Sequence, residues 1–518
     1  MNKSQIFRTS AFFCIAMFCI SCYLPAIHLF TDSLLLPKWY GCGLFGALLA
    51  MLWSVLKLLG KDTSTDVWMH FGCNVFIAIS GVECLYVLTL AMMDGVPSIG
   101  ALGTFDNPAG LALNLCVAMP LGVHQAWRKR NRKIVRWLYA VLCLLMVVTL
   151  YLTKSRTGML CLVLYMIAYL YQGLLCVHIS SFAKRAVFVG LFLCLLAGAI
   201  YGVFQQKASS TSGRAFILQR SWELIKEHPF KGHGVNGFER KYMECQANYF
   251  KTHPASEYAV LADEVHHPLN EFVYLWVDYG VSAPLALLGS MILPAVVSFK
   301  RKDGVIKPLL LPLLGVSVFS CFSYPFHYPV AWAVVVLGVA SVFRWKRRMA
   351  QFALLMAGGV TMAFVAVDAS FEYKWNEAYR HSFKDLSPGV LDEYEALHGY
   401  MHRNFYFLYN YAMTAFLSHD FDRAYALVEE CGLHWNGYNR ELLAGDICFK
   451  KHQCVEAMNH YTMAMHMCPV RFAPLEGLYK VYDAMGDETG RSRIAQKIAS
   501  QQVKVHSSAV ERIRRNCP

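Results

Sequence analysis

The first 369 residues of this 518-residue chain contain one apolar window after another, each long enough to cross a membrane. A spanning helix needs about 20 mostly apolar residues. Only 16% of all residues are charged, against about 25% in ordinary soluble proteins. Backbone that crosses lipid in this way is helical, so the sequence predicts an all-α polytopic membrane protein with about 11–12 transmembrane helices. The windows lie near 10–30, 40–60, 68–92, 108–127, 134–153, 158–178, 185–204, 271–298, 308–324, 328–344 and 350–369.

Basic residues between the windows indicate how the chain is oriented. Alternate short loops are rich in Lys and Arg, including the run RKRNRK at 128–133, and the loops between them are poor in both. The positive-inside rule assigns the basic loops to the cytoplasm, so this charge orients the chain rather than binding nucleic acid. Eleven spans with the N-terminus inside satisfy every short loop. The long loop 205–270 and the tail 370–518 are then external.

The tail is polar and balanced in charge, with 17 Lys/Arg against 18 Asp/Glu. Small and aromatic residues here fall at consensus places of the tetratricopeptide repeat. We expect an independent helical-repeat domain at 370–518, after a membrane domain at 1–369, that binds proteins or fixes geometry and performs no chemistry. A generic helical bundle is the alternative. The matching residues are Gly445, Ala457, Tyr461, Ala464 and Pro469.

Two arginines stand out on the predicted outer face. Arg156, with Lys154, lies in KSRTG (154–158) between two apolar windows that are joined by almost no loop. Such an arginine is often only a snorkelling anchor, but this one lies on the side that should be poor in basic residues. Arg214 precedes a predicted amphipathic helix in the long loop. A cation at a helix N-terminus opposes the helix dipole, so we expect it to have an anionic partner.

A glycine-rich stretch, FKGHGVNGF at 230–238, follows that helix. Its GxG spacing invites a dinucleotide-binding interpretation, which fails because no strand precedes it. We expect a tight turn instead.

A third cluster, DEVHHPLNE at 263–271, leads into an apolar helix that also carries Asp278. Polar groups at membrane depth need partners, so the segment predicts a polar cavity. Carboxylates leave a metal site open as a lesser alternative, and we expect neither a metal nor another cofactor. The candidates in this segment are His266, His267, Asn270 and Glu271.

Two arginines and a histidine facing outward over a membrane suggest one kind of chemistry. Guanidinium forks bind phosphate oxygens through paired hydrogen bonds. A neutral histidine takes a proton from a hydroxyl. This combination suits group transfer from a lipid-linked diphosphate, and no Walker motif points to an ATP-driven process.

At these residues the chain resembles the O-antigen ligase and O-antigen polymerase superfamily of bacterial envelope glycosyltransferases. The similar segments run from about residue 130 to 345 and are SRTG at 155–158, GR…HPFKGHGVNGF at 213–238, HPLNEFVYLWVDYG at 267–280 and SYPFHYPV at 323–330. The resemblance implies a multi-pass protein of the bacterial inner membrane, with the active site and the tail in the periplasm. It also implies an undecaprenyl-diphosphate-linked glycan as donor, without a metal or nucleotide.

The resemblance implies roles for individual residues as well. Many members read HxHNE, whereas this chain has Leu269 before Asn270. The base could therefore be His267 or His266, or the chemistry could rely on arginine and Asn270 alone; we favour His267. The expected catalytic residues are Arg156, Arg214 and His267. The expected substrate-binding residues are Lys154, His266, Asn270 and Glu271.

The acceptor is not encoded in any of these motifs. Members of the superfamily load lipid A–core, extend another lipid-linked glycan, or modify protein hydroxyls, and the tail favours a protein partner somewhat. Two interpretations without catalysis stay open. The chain could be a transporter of lipid-linked glycan with an anion-binding cavity, or an assembly scaffold that works through its tail.

Overall fold

The computed structural model describes residues 3–60, 65–129, 131–176, 208–300, 307–343, 348–384, 386 and 388–517. Every regular element in these ranges is a helix, which confirms the predicted all-α class. The chain divides into two compact units. The first contains residues 1–206, 269–271 and 285–372, and the second contains 207–268, 272–284 and 373–518.

The first unit consists of apolar helices. Five of the described helices are both long and apolar enough to cross a membrane: Leu36–Leu58, Thr65–Met93, Pro108–Arg128, Lys133–Leu152 and Arg348–Ser382. Five shorter apolar helical stretches accompany them among the described residues: Ile6–Ser21, Arg156–Leu170, Ser282–Ser298, Lys307–Phe322 and Pro329–Val342. The predicted span at 185–204 lies outside the described residues.

Helix Pro108–Arg128 forms the centre of this unit. Its most apolar stretch is 78% buried, against 17% for the next helix, Lys133–Leu152. Small residues allow this burial because they let neighbouring elements approach closely. Gly110, for example, lies against the ring of Tyr328, and Gly122 lies against the Cys143 thiol. The remaining spanning helices expose large apolar side chains, as a lipid-facing surface does.

The predicted single span at 271–298 is wrong, because the chain breaks into helices Glu271–Tyr279 and Ser282–Lys300. Gly280 causes the break with a left-handed backbone (φ +73°), which glycine adopts without steric cost. A side chain there would collide with the backbone of Phe230. Nine helical residues extend only about 14 Å, too short to span.

The second unit joins the long loop 207–268 with the tail. Its loop helices are Ala208–Glu227 and Gly237–Thr252, and most of Glu271–Tyr279 belongs to it. The predicted boundary at 369/370 falls inside helix Arg348–Ser382, three residues before the first unit ends. The tail helices are Pro388–Met401, Phe405–Leu417, Phe421–Gly432, Tyr438–Lys450, Cys454–Met467, Ala473–Ala484, Glu488–Ser500 and Ser508–Asn516.

Three successive helix pairs in the tail begin at residues 405, 438 and 473. Small residues lie where the helices meet. Gly445 and Gly477 both contact the ring of Tyr461, and Ala457 and Ala464 are fully buried. This packing is what the predicted repeat requires, and assignment to the tetratricopeptide family stays a prediction.

The loop and the tail share one hydrophobic core. Leu224, Phe238 and Tyr242 of the loop helices pack in one buried cluster with Tyr438 and Met467 of the tail. Gln246, fully buried, crosses this junction by donating to the carbonyls of Asp263 (3.1 Å) and Met467 (2.7 Å). The tail is therefore not the independent domain that its composition suggests.

Candidate functional site

The KSRTG segment forms a tight turn that starts helix Arg156–Cys176. Lys154 adopts a left-handed backbone (φ +52°) and reverses the chain after the preceding helix. The Ser155 hydroxyl then accepts the Gly158 amide proton (3.2 Å), as an N-cap residue does. Arg156 is thereby the first helical residue, with a partly exposed side chain. A helix N-terminus with an arginine is an arrangement that attracts phosphate.

The substrate-binding role expected for Lys154 stays a prediction, and the structure shows which backbone groups its side chain contacts. Its ammonium donates to the carbonyl of Pro97 (3.1 Å) and lies 3.5 Å from that of Ser98. The Ala101 amide donates in turn to the Leu152 carbonyl (2.9 Å). These contacts tie the loop before helix Pro108–Arg128 to the KSRTG turn, so they fix the turn on which Arg156 depends.

Arg214 is exposed on helix Ala208–Glu227. The helix begins six residues earlier than Arg214, so the side chain leaves from the second turn. The helix-dipole argument for an anionic partner therefore loses its basis, because the dipole acts mainly within the first turn. The same helix packs into the shared core through Leu224 and Ile225, which leaves its polar face to solvent.

The glycine-rich stretch forms the predicted tight turn, and the turn lies against the end of helix Glu271–Tyr279. The amides of His233 and Gly234 donate to the carbonyls of Val277 and Asp278 (both 2.8 Å). Gly232, with φ +67°, contacts the same backbone so closely that a side chain would not fit. Backbone contact thus explains these glycines, and no phosphate needs to be invoked.

Asp278 lies beneath this turn. Its carboxylate accepts the amide proton of Phe238 (2.9 Å), and the residue is only 1% exposed. Burial raises the pKa of Asp278 to about 7, because the charged form loses its hydration. A carboxyl group that titrates near neutrality, next to a functional loop, is of the kind found at active sites.

The two candidate histidines occupy different environments in the second unit. His266 is exposed, and its ring lies 6.0 Å from that of Trp435 and 6.4 Å from that of Tyr406, both in the tail. His267 is half-buried and stacks on Tyr274, with ring centroids 4.8 Å apart. His266 thus lies next to aromatic rings of the tail, whereas His267 packs on helix Glu271–Tyr279.

Two residues next to His267 were missed by sequence reasoning. The Tyr274 hydroxyl donates to Glu239 Oε1 (3.0 Å), so the tyrosine that stacks on His267 also holds a carboxylate. Burial raises the pKa of Glu239, while the Tyr274 hydrogen bond and the His267 charge act against that rise. In the sequence, Glu239 stands between Phe238 and Arg240 and looks like an ordinary solvated charge of a polar helix.

Asn270 and Glu271 belong to the first unit. The Asn270 amide donates to the Cys321 carbonyl (3.0 Å). The buried Glu271 carboxylate accepts the Phe326 amide proton (3.2 Å). Segments HPLNE and SYPFHYPV, distant in sequence, therefore meet at these two side chains. The intervening Leu269 has a left-handed backbone (φ +56°), a conformation that is unfavourable for leucine.

The predicted residues are thus divided between the two units. Lys154, Arg156, Asn270 and Glu271 lie in the first, whereas Arg214, His266 and His267 lie in the second. Within the ranges that the structure describes, no three His, Cys, Asp or Glu side chains come together as a metal site would require.

Comparison with known proteins gives one match. A family model described as O-antigen ligase matches residues 141–288, the stretch that contains Arg156, Arg214 and His267. Neither a curated protein nor a solved structure matches the chain significantly. The matched residues include the KSRTG turn, both loop helices and the glycine-rich turn described above. Residues 141–288 of the chain are thus similar to the O-antigen ligase family.

Proposed function

We propose that this protein transfers a glycan from an undecaprenyl-diphosphate donor to an acceptor hydroxyl on the periplasmic face of the bacterial inner membrane. The observation that carries the proposal is the O-antigen ligase match over 141–288, because one domain of that family contains all three expected catalytic residues. The position of Arg156 at the start of a helix and the stacking of His267 on Tyr274 support it chemically.

Arg156 and Arg214 bind the diphosphate in this proposal. Arg156 stands at the start of an apolar helix, where amide protons and the helix dipole add to its own charge. Arg214, exposed on helix Ala208–Glu227, is assigned as the second phosphate-binding guanidinium. Charge on the leaving diphosphate grows as its bond to the sugar breaks, so both cations stabilise the transition state more than the bound donor.

His267 serves as the general base. It takes the proton of the acceptor hydroxyl while that oxygen forms a bond to the anomeric carbon. The bond from this carbon to the diphosphate oxygen breaks at the same time, and undecaprenyl diphosphate leaves with the electron pair. Direct displacement of this kind inverts the anomeric centre.

The shared core supports an external location for both the loop and the tail. Loop and tail residues of the second unit pack in one core and so lie on one side of the membrane, which requires an even number of crossings between 284 and 373. Four apolar helices, from Ser282–Lys300 to Arg348–Ser382, are described in that interval. Together with the basic loops at 128–133 and 300–302, this supports a periplasmic second unit and a cytoplasmic N-terminus.

The acceptor is lipid A–core, a growing lipid-linked glycan or a protein hydroxyl. The experiment reconstitutes the full-length protein in liposomes with an undecaprenyl-diphosphate oligosaccharide and offers each acceptor separately. We expect one of these acceptors to gain the glycan, while the donor is cleaved and undecaprenyl diphosphate is released. Donor that crosses the bilayer uncleaved would indicate a transporter instead, and no change of donor with any acceptor would leave a scaffold role for the tail and its protein partners.

Variants test the assigned residues at equal protein levels. Arg156→Ala and Arg214→Ala should each lower transfer by about 10²–10³-fold, as loss of a transition-state donor does. His267→Ala should lower it by about 10²–10⁴-fold. His266→Ala is the matched control, since the His266 ring lies next to Trp435 of the tail and not next to Tyr274. Near-normal transfer by both arginine variants would end the diphosphate-binding assignment, and loss in His266→Ala alone would move the base by one residue.

A further inference from the structure

We propose that Glu239 is a positioning residue that fixes His267 through Tyr274 and stabilises the imidazolium that forms when His267 takes the acceptor proton. The proposal rests on the assignment of His267 as the base. It adds a carboxylate and a tyrosine to the site, and it gives helix Gly237–Thr252 a part in the reaction.

The three side chains form a continuous arrangement. The rings of His267 and Tyr274 are inclined by only 20° at 4.8 Å, so the tyrosine sets the plane of the imidazole. The Tyr274 hydroxyl ends on Glu239 Oε1 at 3.0 Å. The other carboxylate oxygen, Oε2, is buried and accepts no hydrogen bond from any residue that the structure describes. A buried oxygen left in this way is costly unless a positive charge compensates it.

The surroundings fix Glu239 in place. It lies in the first turn of helix Gly237–Thr252, where the helix dipole favours an anion. The preceding residue, Phe238, is bound to Asp278 through its amide. The carbonyl of Glu239 itself accepts the Asn436 amide proton from the tail (3.1 Å). Backbone contacts with Asp278 and Asn436 therefore fix the Glu239 carboxylate at a position from which it interacts electrostatically with His267.

His267 is the neighbour that can supply the compensating charge. It interacts with Glu239 electrostatically and acts to lower its pKa, against the burial that raises it. The other titratable groups that act on Glu239, or are acted on by it, are Tyr274, Asp278 and Tyr279 of the adjacent helix. Arg240, the next residue, turns its guanidinium toward the carbonyl of His233.

The role follows from the charges during transfer. The acceptor proton moves to the imidazole, which becomes a cation, while the departing diphosphate takes the electron pair of the broken bond. A fixed carboxylate near the imidazole stabilises that cation without reorganisation, and the stacked tyrosine keeps the ring in the productive plane. The proton later leaves to solvent, and Glu239 keeps its own charge throughout.

The first test does not depend on activity. Diethyl pyrocarbonate modifies neutral imidazole, and peptide mass spectrometry of the full-length protein reports the rate at His267 alone. Glu239 holds Tyr274, whose ring covers one face of the imidazole, so Glu239→Gln should loosen this stack and speed modification of His267 several-fold. Glu244→Gln is the matched control, because Glu244 is a more exposed carboxylate of the same helix that pairs with Lys241. Its modification rate should equal that of the wild type.

The second test uses transfer. Glu239→Gln and Tyr274→Phe should each lower the rate about tenfold or more and shift its pH profile, whereas Glu239→Asp should restore part of the rate. Wild-type modification and pH profiles in both Glu239→Gln and Tyr274→Phe would overturn the inference. If the wild-type protein transferred nothing to any acceptor, the proposed function would fail, and the modification rates would still decide whether Glu239 acts on His267.

Discussion

Because the long loop and the tail share one core, we expect a substitution in the tail to lower the stability of the loop helices. Met467 is fully buried and packs in the cluster that also holds Phe238 and Tyr242. Met467→Ala removes only the side chain, since the bond from Gln246 goes to the backbone carbonyl. A large-to-small substitution at such a position costs about 2–5 kcal/mol.

That cost should appear in loop residues more than two hundred positions earlier in sequence. About 1.4 kcal/mol corresponds to a factor of ten, so amide exchange in helix Gly237–Thr252 should accelerate by about 30-fold to a few thousandfold. Hydrogen–deuterium exchange with mass spectrometry, on the intact protein in detergent, measures this directly.

Leu475→Ala is the matched control for this prediction. Leu475 is equally buried, but it lies in a second cluster made of tail residues alone. Its loss should open the tail helices around it and change the loop much less. If Met467→Ala accelerated exchange in its own helix while the loop peptides exchanged as in the wild type, the loop and the tail would not be one cooperative unit.

Three further outcomes follow from the structure. The folded chain binds the proton of Asp278 more tightly than the unfolded chain does, so stability should fall as pH rises from about 4 through 7; melting temperatures of the wild type should drop over that window more than those of Asp278→Asn. Arg156→Lys should transfer glycan about tenfold or more slowly than the wild type in the liposome assay, because a point charge does not replace a two-pronged guanidinium. Gly232→Ala should destabilise the glycine-rich turn by about 1–2 kcal/mol or more, seen as faster protease cleavage there, since its φ of +67° and the Asp278 backbone exclude a side chain.

Hydropathy was sufficient to find most of the membrane helices. The windows 108–127 and 134–153 correspond closely to helices Pro108–Arg128 and Lys133–Leu152, because lipid leaves an apolar segment no other backbone structure. The window 271–298 was wrongly predicted to be one helix. An average of side-chain hydropathy carries no information about the left-handed backbone at Gly280.

The shared core was out of reach for a different reason. The sequence pattern assigns Tyr438 and Met467 to the inner face of a helical repeat. It assigns Leu224 and Phe238 to the inner faces of loop helices. Nothing in the local pattern says that the two faces cover each other. Long-range packing of this kind depends on the shape of both surfaces, not on the periodicity of either.

The candidate site was partly accessible from sequence. Hydropathy placed KSRTG between two spans joined by almost no loop, and in the structure a tight turn joins helices Lys133–Leu152 and Arg156–Cys176 there. The carbonyl contacts of Lys154 and the link from Tyr274 to Glu239 were not predictable. Each joins residues tens of positions apart, and neither Lys154 nor Glu239 differs in type from a solvated surface charge.

The core shared by loop and tail also imposes an order on synthesis. The apolar face formed by Phe238, Tyr242 and Val277 is complete long before its partners at Tyr438 and Met467 have been made. Residue 467 follows residue 277 by 190 positions, which take about 10–40 s to synthesise at usual rates. Throughout that interval the nascent loop exposes this apolar surface. The four apolar helices described between residues 282 and 382 are synthesised during the same time. Until residue 467 has been made, this apolar face is therefore open to aggregation and to binding by chaperones.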